Sequence, residues 1–590
     1  MQINPSLTAS GTGVFVGAGV VSKLVGRRAA MLSLLGGGAG AGLAPQTRAA
    51  ARTGAAEGGP ALARPAKGQA EGPALVETAG GRLRGRRSGG VSSFRAIPYA
   101  ASTAGPNRFR PPLPAAPWSG VREALAFGPS APQAPANADA LSGWYNALQP
   151  MSEDCLQLNV WTPSTSGRRP VMVWLHGGAW TSCSGTAPGF DGTVLARDGE
   201  VVVVTLNHRL GLFGAIRLDD RDSRYAQSGT AGVLDMVAAL AWVRDNIARF
   251  GGDPGRVTIF GQSGGAAKVS ALLACPAARG LFHRAIAQSC SGSLDLASEA
   301  EAARLSHALA ARLGLARADA ASLRAVPVPA LVAAAAALPP MFRPVLDRIT
   351  FPREPFDPDA PPTAAGIPTL FGNARTETTL YLAADPANFS LGADEVRRRL
   401  GRFLRTGDAE TARIIDAYRA HLPGATPSAI LAAVTTDYTY RRNTTREAAL
   451  QARAAQELAP RGQGAKSTGV YAYVFDWRTP VMGGVLRSPH TVEVPFVFGT
   501  TRAARGLVGE GPDLAPLTRM MVATWSAFAH AGDPANPHLP SWPCYDTATR
   551  STMLLGRDSS VAHDPDGARR EALASLPPFA YSMPVNYPRA

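Results

Sequence analysis

The chain has 590 residues, 59 of them Lys or Arg against 44 Asp or Glu, giving a formal charge of +15 at 45% hydrophobic content. No apolar run approaches the roughly 20 residues needed to span a bilayer, which argues against an integral membrane segment. Nor does the charge read as a nucleic-acid surface. Residues 1–87 hold eleven Lys or Arg against Glu57, Glu71 and Glu77; beyond them the excess is dilute, nearly all arginine, and not interleaved with aromatics.

Near the N-terminus, Gly26-Arg27-Arg28-Ala29-Ala30-Met31-Leu32-Ser33-Leu34-Leu35 sets paired arginines before a short, weakly apolar segment, and Ala49-Ala50-Ala51 offers small residues for cleavage. This is the pattern of a twin-arginine export signal. The expected organisation is an export signal at 1–50, a disordered linker at 51–72 and a single catalytic domain at 73–590, in a periplasmic or secreted protein. If the tail is not a signal, the protein is cytoplasmic. Cys155, Cys183, Cys275, Cys290 and Cys544 do not form a disulfide framework in a chain this long. Strand-like runs alternate with helical segments such as 232–249, which implies a mostly parallel sheet covered by helices. The Ala-rich stretch 299–338 and the helical-looking 392–420 read as lid or cap insertions.

Pro170-Val171-Met172-Val173-Trp174-Leu175 reads as a buried strand ending in His176-Gly177-Gly178-Ala179-Trp180. Small residues in a row let backbone N–H groups converge on one point, as acyl transfer requires when charge develops on a carbonyl oxygen. Further on, Arg256-Val257-Thr258-Ile259-Phe260 runs into Gly261-Gln262-Ser263-Gly264-Gly265 and then a helix-compatible segment. That is a nucleophile elbow. Its turn is too sharp for side chains at Gly261 and Gly265, and it holds Ser263 above the sheet edge. The expected oxyanion hole is made by the amides of Gly178, Ala179 and Gly264.

Several further stretches come in an order that resembles the type-B carboxylesterases, the cholinesterase-like branch of the α/β-hydrolases. They are Phe94-Arg95-Ala96-Ile97-Pro98-Tyr99-Ala100, Arg108-Phe109-Arg110-Pro111-Pro112, Ser152-Glu153-Asp154-Cys155-Leu156, Asn207-His208-Arg209-Leu210-Gly211 and Phe250-Gly251-Gly252-Asp253-Pro254. The likeness runs from about 73 to about 570. It implies an α/β-hydrolase fold, with a large mostly parallel sheet and helical cap or lid insertions. It also implies scaffold ion pairs Arg108–Glu153 and Arg209–Asp235. Relatives with a disulfide at the Cys155 position bridge it to an upstream cysteine, and this chain has no cysteine before 155.

In this fold class the chain order is Ser, acid, His, which leaves only histidines after Ser263. His490-Thr491-Val492-Glu493-Val494-Pro495-Phe496 is similar to the family's catalytic-histidine loop. Aligning Pro368-Thr369-Leu370-Phe371-Gly372-Asn373 on the family's strand end makes Glu377 the acid, 114 residues after Ser263 and 113 before His490. This sequence departs from the family at Thr376 and Thr378, at Gln262, where a Glu is usual, and at Ala179, where a Gly is common. Gln262 removes a negative charge near the imidazolium, making the base slightly less basic. Trp144, Tyr145 and Trp180 are candidates for lining an apolar cleft.

The expected enzyme is a serine carboxylesterase acting on small, fairly apolar carboxylic esters through a Ser263-His490-Glu377 triad and an acyl-enzyme. No cofactor and no metal is called for: the chain carries no His-Glu-x-x-His, Cys-x-x-Cys or Walker-type loop. Two rivals share the fold. One uses the same site on carbamates, amides or specialised natural-product esters; the other is a catalytically inactive adhesion or binding protein. A lipase would want an amphipathic lid, which the sequence does not identify.

Overall fold

The computed structural model describes residues 71–579, apart from 136–138, 147–148, 292–294, 340 and 459–467. The expected export signal and nearly all of the expected linker lie outside the described residues. Within them the strands are β1 (Gly72–Thr78), β2 (Gly81–Ser88), β3 (Val91–Pro98), β4 (Val121–Glu123), β5 (Gln157–Thr162), β6 (Arg169–Leu175) and β7 (Val202–Leu206), followed by β8 (Gly252–Gln262), β9 (Arg284–Gln288), β10 (Thr369–Ala374), β11 (Val470–Phe475), β12 (Ser551–Leu555) and β13 (Ser560–His563). They form one sheet in the order β1-β2-β3-β5-β7-β6-β8-β9-β10-β11-β12-β13, with β4 against β2. From β7 to β12 every neighbour is parallel. Antiparallel pairs close both edges.

The central strands are apolar at nearly every position because both faces are covered. Side chains alternate across the sheet, so each strand feeds two cores. Val171, Val173 and Leu175 of β6, Val202 and Val204 of β7 and Val257 and Ile259 of β8 pack under helices Ala231–Asn246, Gly264–Ala274 and Arg442–Leu458. Met172, Trp174, Val203 and Phe260 pack on the other side against Thr193–Gly199, Val494–Phe498 and Leu514–Ala531. Among the described residues no helix is long and apolar enough to cross a membrane.

The 299–338 stretch forms helices Glu299–Arg312, Ala320–Arg324 and Val328–Ala336, with their own apolar cluster that includes Phe109 and Phe213. The 392–420 stretch is two helices rather than one. Ala393–Leu404 stops where Arg405 turns left-handed (φ 58°) and its N–H caps the Gly401 carbonyl; Asp408–His421 begins three residues later. A single left-handed residue breaks the i to i−4 ladder and redirects the chain.

Both expected ion pairs form and are buried. Arg108 meets Glu153 through two hydrogen bonds of 2.7 Å, and Arg209 meets Asp235 at 2.6 and 2.8 Å. They fix the N-terminal strands and the segment after β7 more than they stabilise the fold. All five cysteines are free thiols.

Candidate active site

The site is built where β6, β8, β9 and β10 end together. Ser263 links β8 to the helix Gly264–Ala274 with φ 61° and ψ −124°, a conformation open mainly to glycine. Crowding on both sides dictates the flanking glycines. A Cβ at Gly261 would lie 2.6 Å from the Gly265 carbonyl oxygen and 2.7 Å from that of Leu175, and one at Gly265 would lie 2.0 Å from the Leu175 oxygen. The Ser263 N–H is held by the Gln288 carbonyl at 2.8 Å. Its hydroxyl makes no hydrogen bond among the described residues, as befits a group on the solvent side of the turn.

Register brings the acid and base to the same end of the sheet. Gln262 pairs with Gln288 across β8 and β9, and Gly372 pairs with Gln288 across β9 and β10. Glu377, just past β10, is fully buried. One carboxylate oxygen accepts from the Ser289 hydroxyl and the Ala374 amide, each at 2.6 Å; the other faces His490 Nδ1 at 2.5 Å. The His490 amide also donates to the Glu377 carbonyl at 3.1 Å. The ring is therefore fixed at both backbone and side chain, with Nε2 left as its other face.

Gln262 Nε2 stands 3.3 Å from each ring nitrogen of His490. Equidistance puts it beside the Cε1 edge or over the ring rather than on a lone-pair axis, so it is packing more than a directed hydrogen bond. Its Oε1 accepts from the Tyr145 hydroxyl at 2.8 Å. Gln262 thus connects the base to the segment that carries Tyr145.

In the loop after β6, Gly178 (φ 77°) and Ala179 (φ 51°) both have positive φ. Their amides and that of Gly264, the first residue of its helix, find no acceptor among the described residues. The helix N-terminus adds its own positive end. Gly264 is close enough to Ala179 that a Cβ built on it would lie 2.4 Å from the Ala179 nitrogen. All six residues expected from the sequence thus gather at one end of the sheet.

The cleft-lining expectation changes for the aromatics. Trp180 is 4% exposed and belongs to the core under the nucleophile helix, and Trp144 and Tyr145 are buried as well, Tyr145 with its hydroxyl on Gln262. The sequence reasoning missed Ser289 and Lys268. Ser289 follows β9, next to the nucleophile strand, but nothing in Gln288-Ser289-Cys290 marks it until β9 is known to lie between β8 and β10. A lysine inside the apolar run of the nucleophile helix is a local oddity that the sequence does display. Glu493, in the histidine loop, is also fully buried; burial, with the Glu377 charge nearby, pushes its carboxyl up to about 8, and one oxygen accepts from Gln288 at 3.2 Å.

A nucleophile elbow on a parallel strand, a buried carboxylate on a loop histidine and a small-residue loop beside them define an α/β-hydrolase. Residues 72–572 match the carboxylesterase family. The para-nitrobenzyl esterase of Bacillus subtilis is 36% identical over 85% of this chain and 98% of its own. The phenmedipham hydrolase of Pseudarthrobacter oxydans is 35% identical over 83% and 97%. A crystal structure of a Geobacillus stearothermophilus carboxylesterase superposes with a TM-score of 0.72 at 38% identity, covering 84% of this chain and 99% of that one. The chain belongs to the carboxylesterase family and is, with it, a carboxylic ester hydrolase.

Proposed function

We propose that the protein is a serine carboxylesterase in which Ser263 is the nucleophile, His490 the general base and Glu377 the acid that orients it. The observation that carries this reading is the 2.5 Å contact of His490 Nδ1 with a Glu377 carboxylate that two further donors hold in place, beside the strained Ser263. The Ser263 Oγ–carbon bond forms as the carbonyl π pair moves to oxygen and the hydroxyl proton passes to His490 Nε2. The amides of Gly178, Ala179 and Gly264 meet the oxyanion. Collapse breaks the ester C–O bond, and the alcohol leaves with the His490 proton. Water then repeats the sequence on the acyl-enzyme, releasing the acid and restoring Ser263.

Small, fairly apolar esters are the substrate class that this reading favours. A carbamate-cleaving variant of the same site has a specific support, the 35% identity to a relative named phenmedipham hydrolase. The Arg27-Arg28 segment and the alanines at 49–51 support export by a cleaved N-terminal signal ahead of a catalytic domain at 73–590; N-terminal sequencing of protein recovered outside the cytoplasm tests this.

The central test is hydrolysis of p-nitrophenyl acetate, butyrate and octanoate, and of an aryl carbamate, by wild type and Ser263→Ala, with peptide mapping after organophosphonate treatment. Activity lost in the variant and an adduct on Ser263 are expected. Folded protein with no turnover and no adduct would replace this reading by that of a binding protein.

A further inference from the structure

Lys268 lies five residues after Ser263 in the helix Gly264–Ala274 and is fully buried. Its Nζ donates to the His176 carbonyl at 2.8 Å and to the Gly177 carbonyl at 3.3 Å. Among the described residues no carboxylate lies in ion-pair reach of it; the Trp180 ring is 5.7 Å from Nζ, and His176, His208 and the Cys183 thiol are the titratable groups nearby. Burying an ammonium without a counter-ion is unfavourable, and an apolar side chain of similar length would fill the space with less penalty. Packing therefore does not account for a lysine at this point.

The peptide geometry does. In a planar trans peptide the C=O of one residue and the N–H of the next point in opposite directions. A carbonyl held from behind therefore aims the following amide forward. Gly178 has such a lock: its carbonyl accepts from the Thr181 amide (3.1 Å), the Ser182 amide (3.0 Å) and the Ser182 hydroxyl (3.2 Å), which aims the Ala179 N–H. The corresponding lock on the Gly177 carbonyl is Lys268, joined by His176 Nδ1 at 3.0 Å. Gly177 also packs against the Tyr145 hydroxyl, which occupies the place a Cβ would take (2.1 Å); the lysine and His176 are what meet its carbonyl oxygen.

We propose that Lys268 is a positioning residue for ester hydrolysis, holding the Gly177 carbonyl so that the Gly178 amide faces the developing oxyanion. The inference rests on the reading of Gly178, Ala179 and Gly264 as the oxyanion hole. The lysine stands on the helix that Ser263 begins, so one side chain ties the nucleophile's helix to the loop carrying two of the three donors. Its charge also polarises the peptide, making the amide at the far end a stronger donor. Charge placed behind the hole is useful mainly when the oxygen becomes negative, which is the condition for raising rate rather than affinity. Burial lowers its pKa to about 7, so the polarising charge is complete only below neutral pH, whereas the N–H contacts to the two carbonyls persist in either protonation state. The stacked rings of His176 and His208, 5.0 Å apart, are kept neutral by burial and by the same ammonium.

The test compares Lys268→Met with wild type, counting active sites by organophosphonate titration. The readouts are kcat/KM for p-nitrophenyl butyrate and binding of two inhibitors. An alkyl trifluoromethyl ketone adds Ser263 and places an oxyanion in the hole, whereas the matching methyl ketone mimics the ground state. We expect kcat/KM per titrated site and trifluoromethyl ketone affinity to fall together by about ten- to a hundred-fold. Methyl ketone affinity should stay within about two-fold. If Met does not fold, Lys268→Gln carries the same comparison. A merely structural lysine would lower Tm and the titratable fraction but leave rate per site and trifluoromethyl ketone affinity unchanged, and that result overturns the inference. Ser263→Ala separates the two failures: if that variant keeps wild-type turnover, the underlying active-site reading fails; if it is dead while Lys268→Met is fully active, only the lysine inference fails.

Discussion

Removal of the Ser289 hydroxyl isolates what holds the proposed acid. Glu377 is fully buried and has three donors: Ser289 Oγ and the Ala374 amide at 2.6 Å and His490 Nδ1 at 2.5 Å. Ser289→Ala removes one of them. A hydrogen bond to a charged group contributes about 1.5–3 kcal/mol, and a tenfold change in rate corresponds to about 1.4 kcal/mol. The hydroxyl holds the Glu377 side chain in the resting protein as well as during turnover, so the loss divides. Part appears as reduced stability, and part as weaker support of the imidazolium that forms during turnover. We expect kcat/KM per titrated site to fall about ten-fold, with stability to urea lower by up to about 1.5 kcal/mol. Ser289 also has φ 57°, a conformation that glycine adopts without strain. Ser289→Gly should therefore match Ser289→Ala in lost activity while losing less stability. Steady-state kinetics with p-nitrophenyl butyrate and urea melts of both variants make the check. Full kcat/KM in either variant, or activities that diverge between them while stabilities agree, would refute the assignment of the hydroxyl to the acid.

Three other outcomes follow from packing, burial and thiol exposure. Gly265→Ala forces a Cβ to 2.0 Å from the Leu175 oxygen, a backbone clash at the nucleophile turn, so soluble protein should lose activity by more than about a hundred-fold; circular dichroism and phosphonate labelling separate misfolding from misplacement. Burial pushes the Glu447 and Glu493 carboxyls from the ordinary 4.5 up to about 8. A raised carboxyl pKa makes its contribution to stability fully present below the unfolded value and lost as pH rises through the folded one. Wild-type Tm should accordingly decline from near pH 5 toward pH 8, and Glu447→Gln should flatten that decline; a Glu447→Gln profile parallel to wild type would contradict it. All five cysteines are free and Cys544 alone is exposed. A thiol reagent should titrate one group in native protein and five after unfolding, and reductant should leave Tm unchanged.

Local patterns in the sequence were enough for the features that a strand, a turn and a helix make among neighbours. Val257 to Gly265 had to be an elbow because a β-branched run met Gly-x-Ser-x-Gly, and the glycines are needed for contacts with the adjacent strand that any such turn makes. The small-residue loop after β6 was legible for the same reason, as was the alternation that built the mostly parallel sheet. His490 and Glu377 were legible through family likeness and chain order, since 113 residues separate them and no local rule joins them. The break at Arg405 was missed: apolar spacing carries on across it, and the local signal was Gly407, the N-cap of the second helix, followed by Asp408 in its first turn.

Tertiary structure decided what the sheet register brings together. β9 lies between β8 and β10, so the turn after β9 lands beside the acid that follows β10, and Ser289 reaches Glu377 across 88 positions. Lys268 reaches the His176 carbonyl across 92, because the helix Gly264–Ala274 packs back over the end of β6. Gln262, which on sequence alone registered as a missing charge, became the link between Tyr145 and the His490 ring. Sequence determines periodicity and turn sterics because these act within a few residues. Which strand is a neighbour, and in which register, is settled only when the two cores on either side of the sheet pack together, and the partners of Glu377 and of the Gly177 carbonyl depend on that packing.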